Sequence, residues 1–273
     1  MITFPNAKIN LGLNIVERRP DGYHNLETVF YPIPLTDALE IVPVSGNDST
    51  LTCHGRIVDC PPEKNLVMRA YRMMESIYKL PPVDIHLYKH IPDGAGLGGG
   101  SSDAAHTLTM LNEMFKLGLS NKQLAEIAAK LGADCPFFVY NRPMMATGIG
   151  EMLAPIDLSL QGYTLLLIKP AISVPTAEAY SRVIPNIPEQ HVDELVSLPL
   201  KEWQRLLVND FEASVMTLHP ELAIIKQTLI DAGAIYAAMS GSGSSIFGIY
   251  DTDNVADKVA LPCDNCDIYT LKL

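Results

Sequence analysis

The feature that most restricts the fold of this chain is a glycine-rich run between two patterned segments. The run spans Pro92–Asp103, and its five glycines fall within seven residues. Apolar and polar residues alternate before it over 83–89, as in a strand, and apolar residues recur at helical spacing after it over 101–116. Glycine permits a positive φ, and the free N–H groups of a helix N-terminus attract anions. Strand, loop and helix together predict a phosphate site, because a flexible linker lacks such ordered borders.

Three familiar glycine motifs fit this run poorly. The P-loop requires a lysine after its last glycine, but Ser101 follows Gly100. The spacing Gly94-x-Gly96-x-x-Gly99 matches the dinucleotide fingerprint, yet that motif belongs near the start of a parallel βαβ unit. The protein-kinase loop has the same spacing, but the sequence contains neither His-Arg-Asp nor Asp-Phe-Gly. The bound nucleotide must therefore be identified from other residues.

Composition narrows the class of partner. The net charge is −11 and there is no run of basic residues, which argues against nucleic acid and anionic membranes as partners. A loop of amides can still bind an anionic small molecule, because it acts locally. The N-terminus lacks the pattern of a signal sequence, and the five cysteines, among them a single pair at Cys263 and Cys266, suit a reducing compartment. We therefore expect a cytoplasmic protein.

The order of patterned segments predicts an α+β protein of two domains, because strands and helices do not follow a strict βαβα rhythm. A turn-rich stretch near 154–162 indicates the boundary, which gives domains at 1–155 and 156–273. Strands are predicted near 6–17, 26–31, 37–44, 50–54, 83–89, 137–139, 163–169, 234–239, 245–250 and 267–272. Helices are predicted near 63–79, 101–116, 176–183, 200–216 and 220–232, and a further one begins at the Ser120 capping box and ends near Gly132.

Three further segments carry side chains suited to chemistry. Lys8 and Asn10 share one face of the first long strand, which indicates a lined cleft or, alternatively, an exposed edge strand. Asp134 is a lone carboxylate among apolar neighbours and needs a partner, unless it serves as a helix N-cap or turn residue. The small-residue segment Ser240–Ser244 fits a tight hairpin as well as a ligand-binding loop.

The pattern Pro92-x-x-x-Gly96-Leu97-Gly98-Gly99-Gly100-Ser101-Ser102 resembles the phosphate loop of the GHMP kinase superfamily, which includes galactose, homoserine, mevalonate and phosphomevalonate kinases. Further segments extend the resemblance over nearly the whole chain, namely Ala7–Leu11, Asp21–His24, Leu131–Pro136, Gly148–Glu151, Val174–Thr176 and Ser240–Ser244. The Asp21–His24 and Leu131–Pro136 segments resemble the branch that phosphorylates an alcohol linked to cytidine diphosphate.

The resemblance implies an N-terminal ATP domain of the ribosomal-protein-S5-domain-2 type and a ferredoxin-like C-terminal domain, with the substrate between them. It implies transfer of the γ-phosphate of ATP, with Mg²⁺, to the 2-hydroxyl of a methylerythritol carrying cytidine diphosphate, in the non-mevalonate isoprenoid pathway. By resemblance, Asp134 is the base and Lys8 its electrostatic partner. No acidic residue matches the magnesium-binding glutamate of the mevalonate kinases, so no metal ligand is assigned.

The resemblance also implies the binding residues. For ATP these are Asn65 at the adenine and Pro92, Asp93, Gly94, Ala95, Gly96, Leu97, Gly98, Gly99, Gly100, Ser101 and Ser102. For the substrate they are Tyr23, His24 and Tyr180 around the cytosine, with Asn10, Thr176, Ser240, Gly241 and Ser242. Tyr180 falls where relatives carry phenylalanine, which keeps the stacking surface and adds a hydroxyl.

Three alternatives remain at this stage. Another GHMP kinase, acting on mevalonate, homoserine or a sugar, would not need aromatic residues for a pyrimidine. A NAD-binding oxidoreductase needs a parallel strand with a ribose-binding acid about 20 residues beyond the loop, where this sequence continues as a helix. A binding protein without activity would have no use for Lys8 together with Asp134.

Overall fold

A computed structural model of the chain describes residues 1–46, 48–57, 60–252, 259 and 265–273. The chain forms two units that interleave in sequence. The first unit comprises Met1–Ala7, Leu35–Asp93 and Gly98–Arg142, and the second comprises Lys8–Pro34, Gly94–Leu97 and Pro143–Leu273. Each is described separately below.

The described part of the first unit contains a four-stranded sheet and helices. Its strands are β1 (Ile2–Thr3), β4 (Ala38–Pro43), β5 (Thr50–Gly55) and β6 (Val83–Lys89), in the order β1-β4-β6-β5. Only β5 and β6 run parallel, and the other neighbours are antiparallel. The helices are α1 (Leu66–Tyr78), α2 (Gly99–Met114), α3 (Asn121–Ala128) and α4 (Cys135–Tyr140), and a 3₁₀ turn at Pro62–Lys64 precedes α1.

The core of the first unit follows the predicted periodicities. In β6, the side chains of Val83, Ile85 and Leu87 are buried, and the residues between them are more exposed. They belong to one apolar cluster with buried side chains of α1 and α2, including Tyr71 and Leu108. The alternating strand and the helical stripe that flank the glycine run in the sequence therefore share a core.

The described part of the second unit contains two four-stranded sheets. One has the order β2-β3-β7-β8, from β2 (Asn6–Arg18), β3 (His24–Thr36), β7 (Met144–Thr147) and β8 (Met152–Pro155). The other is antiparallel, with the order β10-β11-β9-β12, from β9 (Thr164–Pro170), β10 (Tyr236–Met239), β11 (Ile246–Tyr250) and β12 (Cys266–Lys272). The helices are α5 (Thr176–Tyr180), α6 (Val192–Val196), α7 (Leu200–Leu206), α8 (Phe211–Leu218) and α9 (Pro220–Asp231).

Two predicted elements are wrong. The apolar residues 137–139, predicted as a strand, lie in α4, because a short apolar run does not by itself distinguish a strand from a buried helix. The single helix predicted over 200–216 is two helices, α7 and α8. It is interrupted where the backbone pairs with β2, since Leu13 N–H donates to the carbonyl of Val208 (2.8 Å) and Asp210 N–H donates to the carbonyl of Leu13 (2.8 Å).

The Ser120–Gln123 capping box predicted at the start of α3 is confirmed, with both reciprocal hydrogen bonds present. Among the described residues, no helix has the length and apolar character needed to cross a bilayer. Cys53, Cys60 and Cys135 are free thiols, whereas Cys266 is disulfide-bonded, which departs from the expectation of reduced cysteines. Cys263, the other cysteine of that CxxC motif, lies outside the described residues.

Candidate active site

The glycine run forms a turn that leads into the N-terminus of α2. Gly94, Gly96 and Gly98 have φ values of 57°, 75° and 70°, a region that other residues rarely adopt. The helix begins at Gly99, two residues earlier than predicted, because Gly98 takes the left-handed N-cap position. Gly98 has no side chain to cap the helix, and the first turn of α2 contains no acidic residue. The free backbone N–H groups and the dipole of α2 therefore favour an anion at this end.

Three buried charges surround the base of α2. The ammonium of Lys89 donates to Asp103 Oδ2 (2.7 Å) and to Asp37 Oδ2. The second oxygen of Asp37 accepts backbone N–H bonds from His90 (2.6 Å) and Ile91 (2.8 Å). Lys89 also lies 3.3 Å from the position that a Cβ on Gly99 would take. The cluster thus ties the end of β6 and the residues before the glycine run to α2.

Asp103 is the member of this cluster whose ionised form is least well compensated. It is 2% exposed, and its Oδ1 has no hydrogen-bond partner among the described residues. Burial raises the pKa of Asp103 to about 7, against the opposing effect of Lys89, and the neighbouring Asp37 adds to the rise. When both carboxylates are ionised, the single lysine leaves a net negative charge in the interior, which is energetically costly.

We expect this aspartate to make the protein less stable as the pH rises from about 4 to 7. The folded chain holds a proton there that the unfolded chain, with a carboxyl pKa of 3.8, has already lost. The free energy of unfolding must therefore fall through that interval. Asp103→Asn cannot ionise, so its stability relative to wild type should improve between about pH 5 and pH 8 in urea unfolding. A constant difference across this range would contradict the assignment.

Lys8 and Asn10 join the two glycine-containing loops of the second unit. The Lys8 ammonium donates to Asn10 Oδ1 (2.7 Å) and to the carbonyl of Gly96 (3.1 Å). The hydroxyl of Ser240 donates to the same Gly96 carbonyl (2.8 Å). The side chain of Asn10 donates to Thr28 Oγ1 (3.1 Å). Lys8 and Asn10 are each 3% exposed, which excludes the exposed-edge-strand alternative.

The free edge of β2 is covered by irregular backbone. Lys8 N–H donates to the carbonyl of Leu97 (3.0 Å), which ties the strand to the glycine run. Further along, Leu13 forms a parallel bridge with Asn209. The strand therefore places Lys8 and Asn10 beside the glycine run and Leu13 beside residues 208–210.

The Ser240–Ser244 loop is both a hairpin and a partner of the glycine run. It connects the antiparallel strands β10 and β11, as the hairpin alternative predicts. A Cβ on Gly96 would lie 1.9 Å from the carbonyl oxygen of Ser240, so the two loops are in close backbone contact. Ser245 N–H also donates to the carbonyl of Ala95 (3.3 Å).

Aromatic side chains form a second group in this unit. The ring of His24 stacks on Tyr180, with centroids 4.6 Å apart and planes inclined by 19°, and Phe211 meets Tyr180 edge-on at 4.7 Å. Burial lowers the pKa of His24, and the nearby Arg18 adds to the effect, which favours the neutral ring. Tyr23 is 61% exposed, so His24 and not Tyr23 covers a face of Tyr180 in this structure. Thr176 opens α5 and is exposed.

The predicted site residues of the first unit lie at helix starts. Asn65 is the N-cap of α1, and its side chain accepts the N–H of Val67 (3.0 Å). Asp134 occupies the N-cap position of α4 with helical φ and ψ, and its carboxylate makes no capping hydrogen bond to α4. Asp134 is half-buried, and Pro136 in the first turn fixes the chain after it. Asp134 thus has the position of a cap without the bonding that the cap alternative requires.

The remaining predicted residues belong to the two loops. In the glycine run, Pro92, Ala95, Leu97 and Ser102 are buried, Ser101 and Gly100 are half-buried, and Asp93 is exposed. In the second loop, Gly241 is buried and Ser242 is half-buried, and a Cβ added to Gly241 would lie 3.4 Å from Asn10 Oδ1. The structure thus brings Lys8, Asn10, Gly96, Ser240 and Gly241 together.

Sequence reasoning missed Asn209, Thr28 and the cluster of Asp37, Lys89 and Asp103. Asn209 is 4% exposed and donates to the backbone of the Ser240–Ser244 loop. Asp103 ends the glycine run but was not assigned a role, and the other residues belong to no motif. A lysine at an inward position of β6 is nevertheless a usable signal, because buried charges need partners.

Comparison with known proteins matches both halves of the chain to one family. Residues 65–142 match the model of the GHMP kinases N terminal domain, and residues 192–265 match that of the GHMP kinases C terminal domain. Over 268 residues, the chain is 53% identical to a 4-diphosphocytidyl-2-C-methyl-D-erythritol kinase of Bacteroides fragilis, covering 97% of this chain and 98% of that relative.

Two further matches agree with this. A relative of the same name from Parabacteroides distasonis is 54% identical over 251 residues, covering 92% of each chain. A crystal structure of 4-(cytidine 5'-diphospho)-2C-methyl-D-erythritol kinase superimposes with a TM-score of 0.83 at 34% identity and covers 100% of both chains.

Proposed function

The chain belongs to the GHMP kinases, and from this membership we propose that it transfers the γ-phosphate of ATP to the 2-hydroxyl of 4-diphosphocytidyl-2-C-methyl-D-erythritol. The observation that carries the proposal is the 53% identity to a kinase of that name over almost the full length of both chains. The reaction belongs to the non-mevalonate isoprenoid pathway. Because the enzyme consumes ATP, we propose that it acts in the cytoplasm.

The glycine run and the start of α2 are proposed to hold the phosphates of ATP. The positive φ values at Gly94, Gly96 and Gly98 direct backbone amides without side-chain obstruction, and the uncapped helix start supplies further N–H donors. Asn65 is proposed to contact the adenine. The ATP-binding role is proposed for residues 1–155, and residues 156–273 form the second proposed domain.

Magnesium is proposed to enter with the nucleotide. Among the described residues, no group of three or more His, Cys, Asp or Glu side chains could hold a metal ion. This fits Mg²⁺, which binds substrate phosphates and water more readily than an all-protein cage. When bound, the ion neutralises charge on the phosphates. We assign it no ligand from this chain.

Two side chains are proposed to act on the transferred group. Asp134 accepts the proton of the substrate hydroxyl, and Lys8 stabilises the charge that develops there. Phosphoryl transfer depends mainly on positioning and charge stabilisation, so a fixed ammonium matters. Support for this role comes from the bonds of Lys8 to Asn10 and to the Gly96 carbonyl, which hold its ammonium at the glycine run.

One assay tests the substrate assignment. ADP release is measured with the diphosphocytidyl alcohol, mevalonate and homoserine at equal concentrations. We expect turnover with the diphosphocytidyl alcohol to exceed that with either of the others. Faster phosphorylation of mevalonate or homoserine would favour another GHMP kinase activity, and the absence of ADP release with all three would contradict the proposal.

The substrate cytosine is proposed to bind at the aromatic group of His24 and Tyr180, with Tyr23 near it. Base–aromatic stacking is worth about 1–3 kcal/mol by alanine substitution, and 1.4 kcal/mol is one factor of ten. We therefore expect Tyr180→Ala to raise KM for the diphosphocytidyl alcohol about tenfold, with KM for ATP unchanged. Tyr180→Phe keeps the ring and is the matched control, with little effect on either constant. An unchanged KM in Tyr180→Ala would remove this ring from the pocket.

A further inference from the structure

The residue that links the Ser240–Ser244 loop to β2 is Asn209. It lies in the break between α7 and α8, where the backbone of residues 208–210 pairs with Leu13. Its side chain is 4% exposed. Its Nδ2 donates to the carbonyls of Met239 (2.8 Å) and Gly241 (2.9 Å), and its Oδ1 accepts the N–H of Phe211 (3.0 Å). All the polar groups of the amide are therefore engaged with backbone.

Met239, the last residue of β10 before the loop, has both of its backbone polar groups bound by side chains. Asn209 binds the carbonyl of Met239, and the carboxylate of Glu212 accepts the N–H of the same residue (2.8 Å). Side chains of the Asn209–Glu212 segment therefore help to set the direction in which Ser240 and Gly241 leave β10, together with the hairpin bond from Ser240 N–H to the carbonyl of Ser245 (2.9 Å). A buried backbone group that loses such a partner destabilises the fold, so the loop is expected to depend on these bonds.

The same loop fixes groups that the proposed mechanism uses. Ser240 donates to the carbonyl of Gly96 (2.8 Å), and that carbonyl also accepts the ammonium of Lys8 (3.1 Å). The backbone N–H of Asn10 donates in turn to the Ser240 hydroxyl (3.3 Å). A displacement of the loop would therefore move both the Gly96 carbonyl and the Lys8 ammonium.

We propose that Asn209 is a positioning residue for phosphoryl transfer. Through Gly241 and Ser240 it sets the place of the Gly96 carbonyl and of the Lys8 ammonium, and so governs the rate of the chemical step more than the affinity for the alcohol. The inference rests on the proposed role of Lys8. Asn209 touches neither ATP nor the alcohol in this proposal and acts only through the loop.

The test replaces the two donors and keeps the acceptor. Asn209→Asp has nearly the same shape, and its oxygen can still accept the N–H of Phe211, but an ionised carboxylate cannot donate to Met239 and Gly241. A misplacement of about 1 Å costs on the order of 10²-fold in rate, so we expect kcat to fall about 10- to 100-fold. KM for the alcohol should stay within about threefold, because this variant keeps the bond to the N–H of Phe211. The ring of Phe211 packs against Tyr180, which is proposed to bind the cytosine.

Gln204 supplies the matched control. Its Oε1 accepts the N–H of Ala237 (2.7 Å), so it holds the same strand, β10, two residues before Met239, and it makes no contact with the loop among its described hydrogen bonds. Gln204→Ala should lower the melting temperature about as much as Asn209→Asp does, and it should leave kcat within about twofold of wild type. If Gln204→Ala lowers kcat as much as Asn209→Asp does, general loss of stability explains both and the proposal fails.

The assay uses whichever of the three alcohols wild type turns over fastest. Wild-type turnover of mevalonate or homoserine alone would defeat the substrate assignment and still test Asn209. Should Asn209→Asp not fold, Asn209→Ser, which retains one donor and adds no charge, is measured in the same way. A kcat within about twofold of wild type in the folded variant would overturn the inference. Loss of kcat that adds to that of Ser240→Ala, instead of overlapping with it, would also overturn it.

Discussion

Asp134→Asn is expected to lower kcat by about 10²–10⁴-fold, the usual contribution of a positioned general base, with little change in KM for ATP. The amide has the shape of the carboxylate but cannot accept the hydroxyl proton. The location of Asp134 at the start of α4, without a capping bond to that helix, means that the substitution should not unfold α4. Steady-state kinetics with the diphosphocytidyl alcohol measure the effect.

Lys8→Met completes this experiment. Methionine keeps the apolar stem beside Phe30, whose ring centroid lies 5.0 Å from the ammonium, and removes the charge. We expect kcat to fall, and the double variant to lose less than the product of the two single losses, because residues that act as a unit are not additive. Asp157→Asn, at an exposed aspartate, is the control and should match wild type. A wild-type kcat in Asp134→Asn would leave positioning alone to carry the reaction.

The second large effect is expected at Gly96. An added Cβ would lie 1.9 Å from the carbonyl oxygen of Ser240 and 2.8 Å from its carbon, both backbone atoms that cannot rotate away. Gly96→Ala should therefore separate the two loops and displace the carbonyl that Lys8 and Ser240 share. We expect kcat/KM to fall by more than about 10²-fold, as for a misplaced catalytic group, with weakened ATP binding in calorimetry.

Gly94→Ala separates this clash from the cost of a strained backbone. Gly94 has a similar positive φ, 57° against 75°, but the nearest atom to its added Cβ is Ser173 Oγ at 3.9 Å. The left-handed conformation should cost about 1–2 kcal/mol in either variant, and only Gly96→Ala should meet the backbone contact. Equal kinetic losses in the two variants would mean that backbone strain, and not the contact with Ser240, is the cause.

Local regularities in the sequence determined much of the fold. The alternation of β6, the helical stripe of α2 and the capping box of α3 each follow from residues within a few positions of one another. The same is true of the face that Lys8 and Asn10 share, because side chains of a strand repeat every two residues. The glycine run indicated a phosphate loop for the same reason, since positive φ is a property of single residues.

What only the tertiary structure decided depends on pairs that are distant in sequence. Ser240 and Gly96 are 144 positions apart, and Lys89 and Asp37 are 52 positions apart, so no periodicity signals either contact. The break at residues 207–210 arose because the edge of β2 offered hydrogen bonds that competed with a continuous helix, and the apolar residues of α4 could equally have formed a strand. Backbone groups take the partners that burial leaves available, and that choice is made by the assembled core and not by the local chain.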